Sequence, residues 1–160
     1  MDIPTDQRLE EYRKRQEDAA FIALLFDYGR YLLAASSRED SPLPTHMGGI
    51  WNDNVYNKLC SQDMHIDLNV QMQYWLAGPV GAASCMAPLI SWIRDIVVPS
   101  GEKTAREAYG IDGWTAHVVA NPWGLHHLDG VTDGGRFSWV VCGAHYFCGI
   151  TMNMRGIWIF

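Results

Sequence analysis

His65, Asp67 and Asn69 place an imidazole, a carboxylate and a carboxamide at alternate positions, just ahead of Tyr74 and Trp75. In extended backbone, successive side chains point to opposite faces. These three residues would then share one edge, with Met64, Ile66 and Leu68 on the other. A polar edge of this kind beside two aromatic rings suits a polyhydroxylated ligand and the handling of a proton or a water molecule. Each residue also has a plainer role. Asn69 directly precedes an apolar helical segment, and Asn is a preferred N-cap. Asp67 reads by default as a solvated carboxylate, and a lone histidine such as His65 is more often a hydrogen-bonded structural residue.

Other groups that carry chemistry are less organised. His65, Asp67, His117, His126, His127 and His145 offer metal ligands, but neither H-x-x-x-H nor H-E-x-x-H spacing occurs. Cys60, Cys85, Cys142 and Cys148 lack C-x-x-C spacing and read as free buried thiols. No metal and no organic cofactor is expected. Trp51, Trp75 and Trp123 are either core fillers or platforms for the apolar C–H faces of a sugar ring. Arg30 is expected to anchor its helix through a buried ion pair. Asp129 and Asp133, on a Gly-rich loop, are expected to be solvated, and Met64, Met72 and Met86 to pack.

The elements that must position these groups follow from periodicity and breakers. Residues 6–16 read as a short solvated helix. From Asp18, the residues Phe21, Leu24, Leu25, Tyr28, Tyr31, Leu32 and Ala35 recur at helical spacing, predicting a helix to about Ser36. Ser41-Pro42-Leu43-Pro44 opens a loop to about Gln62 that carries Gly48-Gly49-Ile50-Trp51-Asn52. Val70 to Ala77 is a short helix ended by Gly78-Pro79. Pro88 to Val98 is another, stopped by Pro99, and Glu102 to Tyr109 a third, closed by Gly110. Gly113 to Val118 looks extended, Asn121-Pro122-Trp123-Gly124 is a turn, and 137–148 a last buried helix.

Composition bounds the rest. The 160 residues are 48% apolar and 19% charged, values of a globular chain. The net charge is −6, with half of the basic residues between Arg8 and Arg38 and no basic stripe, so a nucleic-acid partner is not expected. The first residues lack an apolar signal core, and no apolar run reaches the ~20 residues of a membrane span. A membrane partner is therefore not expected, and the cellular location stays open.

Five segments occur in one order: Leu24 to Arg38, Gly49-Ile50-Trp51-Asn52, His65 to Trp75, Gly113 to His117, and Asn121-Pro122-Trp123-Gly124. Together they resemble the catalytic domain of glycoside hydrolase family 95, the inverting α-L-fucosidases, from about Pro4 to about Tyr146. The resemblance implies an all-α (α/α)6 toroid, often secreted, that holds a terminal L-fucose of an oligosaccharide or polysaccharide. It also implies hydrolysis with inversion: a carboxylic acid protonates the leaving oxygen while a water attacks from the opposite face. In the family two asparagine amides orient that water, and the matching positions here are Asp67 and Asn69, the catalytic candidates. His65, Trp51, Asn52, Trp75, His117, Asn121 and Trp123 are the candidate substrate contacts.

Departures from the pattern carry expectations too. Asp67 stands where the family places its first asparagine, Gln73 replaces the asparagine before Tyr74-Trp75, and Leu76-Ala77-Gly78-Pro79 replaces Pro-Ala-Glu. The family's general acid and polarising aspartate lie further along than Phe160. Twelve helices of ~11–12 residues plus loops need about twice this length. The chain is therefore expected to be a single partial toroid with about half the helices and an unrecognised tail at 150–160. It would carry the water side of the site and be inactive alone. The alternatives are a non-catalytic sugar-binding remnant and an unstable truncated product.

Overall fold

A computed structural model describes residues 3–51, 63–66, 68–117 and 119–124. Helix α1 (Thr5–Arg15) follows Pro4, carries Asp6 in its first turn and Arg13, Lys14 and Arg15 in its last, and buries nothing. That charge order complements the helix dipole. Gln16, left-handed at φ 54°, turns the chain toward α2 (Ala19–Ser36). Asp18 caps α2: its carboxylate accepts from the Phe21 amide at 2.9 Å and from Nε and Nη2 of the Arg8 guanidinium at 2.6 and 2.7 Å. Those bonds hold the Asp18 carboxyl down at about 2.

Helix α2 forms where expected, but its apolar stripe is mostly uncovered. Only Phe21, Leu33 and Ser36 are buried, whereas Leu24, Leu25, Phe26, Tyr28 and Tyr31 are 42–59% exposed. Arg30 sits in solvent with Asp27 at 3.1 Å, so the expected buried ion pair is an exposed one. By length and composition alone α2 is long and apolar enough to cross a membrane, with mean hydropathy 1.2 over 18 residues. Core helices pass the same test, and Asp27 and Arg30 at mid-helix would be costly in hydrocarbon.

Strand β1 (Met64–His65) pairs antiparallel with β2 (Val119–Ala120), Met64 opposite Ala120 and His65 opposite Val119. The alternation read from the sequence holds through Ile66: Met64 and Ile66 are fully buried and His65 is not. It ends there. The chain turns, and Leu68 is 52% exposed instead of facing inward. Helix α3 (Asn69–Tyr74) follows, with a 3₁₀ turn over Trp75–Ala77.

The two helices expected on either side of Pro99 are one rod. A 3₁₀ turn (Ala83–Met86) leads into α4 (Ala87–Trp92), a π turn (Ile93–Val97), α5 (Val98–Thr104) and a second π turn (Ala105–Tyr109). Proline lacks an N–H and its ring collides with the carbonyl four residues back. Widening the preceding turn absorbs both problems: the Val98 amide reaches back five residues to the Ile93 carbonyl. Gly110, left-handed at φ 64°, ends the rod as predicted.

The core gathers Leu33, Met64, Ile66, Val70, Tyr74, Leu89, Trp92, Ile93 and Val97 with Ala116 and Ala120. Segment 114–117 lies against the rod so closely that a Cβ on Gly101 would sit 2.6 Å from the Thr115 carbonyl oxygen. Among the described residues the structure is mainly helical with one two-stranded sheet, the all-α class in its coarse sense. The expected helix at 137–148 lies outside the described residues.

Candidate active site

The pairing of β1 with β2 decides which segments meet. It lays the His65 segment against the residues that run into the Asn121–Gly124 turn, more than fifty positions away in sequence. Behind this junction opens a cleft of about 390 Å³, within the range of small-molecule sites. Its walls are Ala35, Ser36 and Arg38 from the end of α2, the 41–44 loop, His46, Ile50, Met64 and Pro122. Among the described site candidates, His65, Asn69, Trp51, Trp75, His117, Asn121 and Trp123, none lines it directly. Their chain neighbours do: Ile50 precedes Trp51, Met64 precedes His65, and Pro122 lies between Asn121 and Trp123. The polar groups of the cleft that the sequence did not flag are Arg38, Ser41 and His46. Arg38 closes the first of the five segments and His46 precedes the Gly-Gly pair, which was the available signal.

Loop 41–51 is held from behind by a buried relay. Ser37, fully buried, has one proton and gives it to the Cys85 carbonyl at 2.9 Å. Its oxygen therefore accepts from the Tyr74 hydroxyl at 2.6 Å, and that hydroxyl accepts from the Thr45 amide at 2.9 Å. Burial pushes the Tyr74 phenol above its ordinary value, which keeps the proton the relay needs. Gln73 adds a second tie, donating to the His46 carbonyl at 2.9 Å. Gln71 donates to the Ile66 carbonyl at 2.7 Å and so fixes the turn that leads into α3.

The candidate residues fall into three groups. His65, at the end of β1, and Asn69, at the start of α3, are half-buried. The His65 ring bonds through Nδ1 to the Asp63 carboxylate. Leu68, not Asn69, occupies the N-cap of α3, and no side chain caps that helix. The plain role for Asn69 is thereby removed. Trp51, Trp75 and Trp123 are 54%, 56% and 77% exposed, so none is a core filler among the described residues. Met72, expected to pack, is also exposed.

The second group points inward. His117 is 1% exposed and its Nε2 bonds the Tyr109 hydroxyl at 2.8 Å. Burial pushes its imidazole below the usual histidine range. Asn121 directs its Oδ1 to the Trp123 amide at 3.0 Å, while the Gly124 amide returns to the Asn121 carbonyl. This is an Asx turn, and it needs Gly124: its φ is 74° and a Cβ there would lie 2.7 Å from Ile96. Ser100 and Trp92 pin the same turn, donating to the Gly124 and Pro122 carbonyls. In this arrangement His117 and Asn121 hold the wall rather than line the cleft. The third group, Asn52 and Asp67 with His126, His127, Asp129, Asp133 and His145, lies outside the described residues. Among the described residues no three His, Cys, Asp or Glu side chains cluster to hold a metal ion.

Comparison with known proteins bears out the resemblance read from the sequence. The family model described as Glycosyl hydrolase family 95 catalytic domain matches residues 1–154. The match runs a few residues beyond each end of the segment that carries the resemblance, and reaches into the last eleven residues, where the sequence alone shows no family pattern. Alpha-L-fucosidase 2 of Arabidopsis thaliana is 35% identical over 119 residues, which is 74% of this chain and 14% of the relative. A probable alpha-fucosidase A of Aspergillus niger is 36% identical over 124 residues, 77% of this chain and 15% of the relative. The corresponding Aspergillus oryzae protein is 35% identical over 69% of the chain. The chain thus spans about a seventh of the length of the curated relatives it matches.

Proposed function

Because the chain belongs to glycosyl hydrolase family 95, we propose that it forms the water-side half of an inverting α-L-fucosidase site. Asp67 and Asn69 orient the attacking water, and His65 contacts a sugar hydroxyl. Asp67 is also a far stronger base than the amide it replaces, so it can take the proton that the water releases. Trp51, Asn52, Trp75 and Trp123 are assigned to the sugar's surroundings, with His117 and Asn121 holding the wall behind. The substrates are terminal α-L-fucosides of oligosaccharides or polysaccharides, α-1,2 linkages foremost, with L-galactosides as the nearest competitors. Neither a metal nor an organic cofactor is required, because acid, base and positioned water suffice for glycoside hydrolysis.

What carries this reading is the β1–β2 register, which sets the His65 segment, Ile50 and Pro122 around one cleft. The uncovered stripe of α2 supports the toroidal part of it: Leu24, Leu25, Tyr28 and Tyr31, on one side of the helix, form an apolar surface larger than single scattered residues. We assign that stripe to packing against further helices of a toroid, and the proton donor to the length of the relatives that this chain does not span. General-acid help is worth about 10²–10⁴-fold, so the chain alone is expected to release no measurable L-fucose.

Calorimetry with L-fucose and a release assay on a fucosyl-oligosaccharide test the proposal together. Weak L-fucose binding that His65→Ala abolishes, with no turnover, is the expected result. Robust turnover would show that the chain holds its own proton donor, and absence of binding would remove the site. The exposed tryptophans favour a second reading, a sugar-binding surface without chemistry. There Trp51→Ala abolishes binding, while His65→Ala leaves it unchanged.

A further inference from the structure

Asp63 stands two residues before His65, at the mouth of β1, on the side of the extended backbone that His65 also takes. The Asp63 carboxylate and the His65 Nδ1 are hydrogen-bonded. Both side chains are largely withdrawn from water, at 15% and 17% exposure. A bond sheltered to that degree is not loosened by competing solvent as a surface pair is. Each member is also held by its backbone. The Asp63 carbonyl accepts from the Met47 amide at 3.1 Å, which ties it to the loop carrying Ile50 and Trp51. His65 is fixed in register opposite Val119.

We propose that Asp63 is the positioning residue of the site: it sets the orientation and tautomer of His65. A carboxylate only accepts, so in the neutral ring the proton resides on Nδ1 and Nε2 is left as an acceptor. His65 then presents a lone pair to a ligand hydroxyl, and the hydroxyl must be the donor. Removing Asp63 frees the ring to rotate and lets the proton move to Nε2, which turns the acceptor into a donor. This inference rests on the assignment of His65 as a sugar contact.

Two readouts on the purified chain separate the inference from that assignment. Long-range ¹H–¹⁵N spectra at slightly alkaline pH report the tautomer directly. The wild-type ring is expected to carry its proton on Nδ1, and Asp63→Ala to shift it substantially to Nε2. Asp63→Leu, which nearly keeps the size but can neither donate nor accept, gives the same readout if the alanine variant does not fold. L-fucose affinity is expected to fall about tenfold in either variant, the loss of one well-placed hydrogen bond. An Nε2–H ring in the wild type, or one unaltered in a folded variant, overturns the inference alone. A ring that switches with no change in affinity overturns both the sugar contact and the positioning role.

Discussion

Replacing Tyr74 by Phe removes one oxygen from the middle of the relay that runs from the Thr45 amide through Tyr74 and Ser37 to the Cys85 carbonyl. Ser37 keeps its bond to Cys85, so the damage falls on two groups. The Thr45 amide, in a residue 5% exposed, loses its acceptor, and the Ser37 oxygen loses its donor. An orphaned buried donor costs ~1–3 kcal/mol and a lost neutral bond ~0.5–1.5 kcal/mol. Partial relaxation of loop 41–51 returns some of this, leaving about 2 kcal/mol. For a chain of this size that lowers the melting temperature by roughly 4–8 °C. Ser37→Ala breaks the same relay one bond further on, so the double variant should lose about 1 kcal/mol less than the sum of the singles. Urea titrations followed by tryptophan fluorescence measure all three variants at constant m-value. A Tyr74→Phe cost under about 0.5 kcal/mol, or strictly additive singles, would refute the relay.

The remaining predictions are simpler. Gly101→Ala gains about 1 kcal/mol of helix propensity, but its Cβ would stand 2.6 Å from the Thr115 carbonyl oxygen, backbone that cannot swing aside. Overpacking of ~1–3 kcal/mol outweighs the gain, so thermal melts should show net destabilisation, and a stabilised variant would disprove the close approach. His117 is held neutral by burial, with its folded value below the unfolded one. The unfolded chain then binds the proton first, so stability falls as pH drops below about 6.5, by at most about 1.4 kcal/mol per pH unit. Denaturation midpoints between about pH 7.5 and 5.5 should show that slope and His117→Gln should lose it; a wild-type midpoint rising toward acid contradicts the assignment.

Signals that involve near neighbours were legible in the sequence. Asp18 as the start of α2, Gly110 as the end of the rod and the polar–apolar alternation of 64–66 all depend on residues a few positions apart. The family was legible as well, because its five segments keep their order and spacing whatever the chain does in space. Pro99 was misleading: a proline stops an ideal α-helix, but the π turn before it widens the backbone and carries the helix through, with Ile93, Val97 and Gly101 buried on its inner side.

Which residues face the cleft was settled in three dimensions. His117 and His65 are the same side chain in sequence, yet one is sealed against Tyr109 and the other stands beside Asp63. The difference comes from strand register and from the close approach at Gly101, contacts between residues far apart along the chain. The stripe on α2 makes the same point from the other side. Its spacing fixes a helix with one apolar face, but periodicity carries no information on what covers that face, since burial is a property of the partner surface and not of the segment that seeks it.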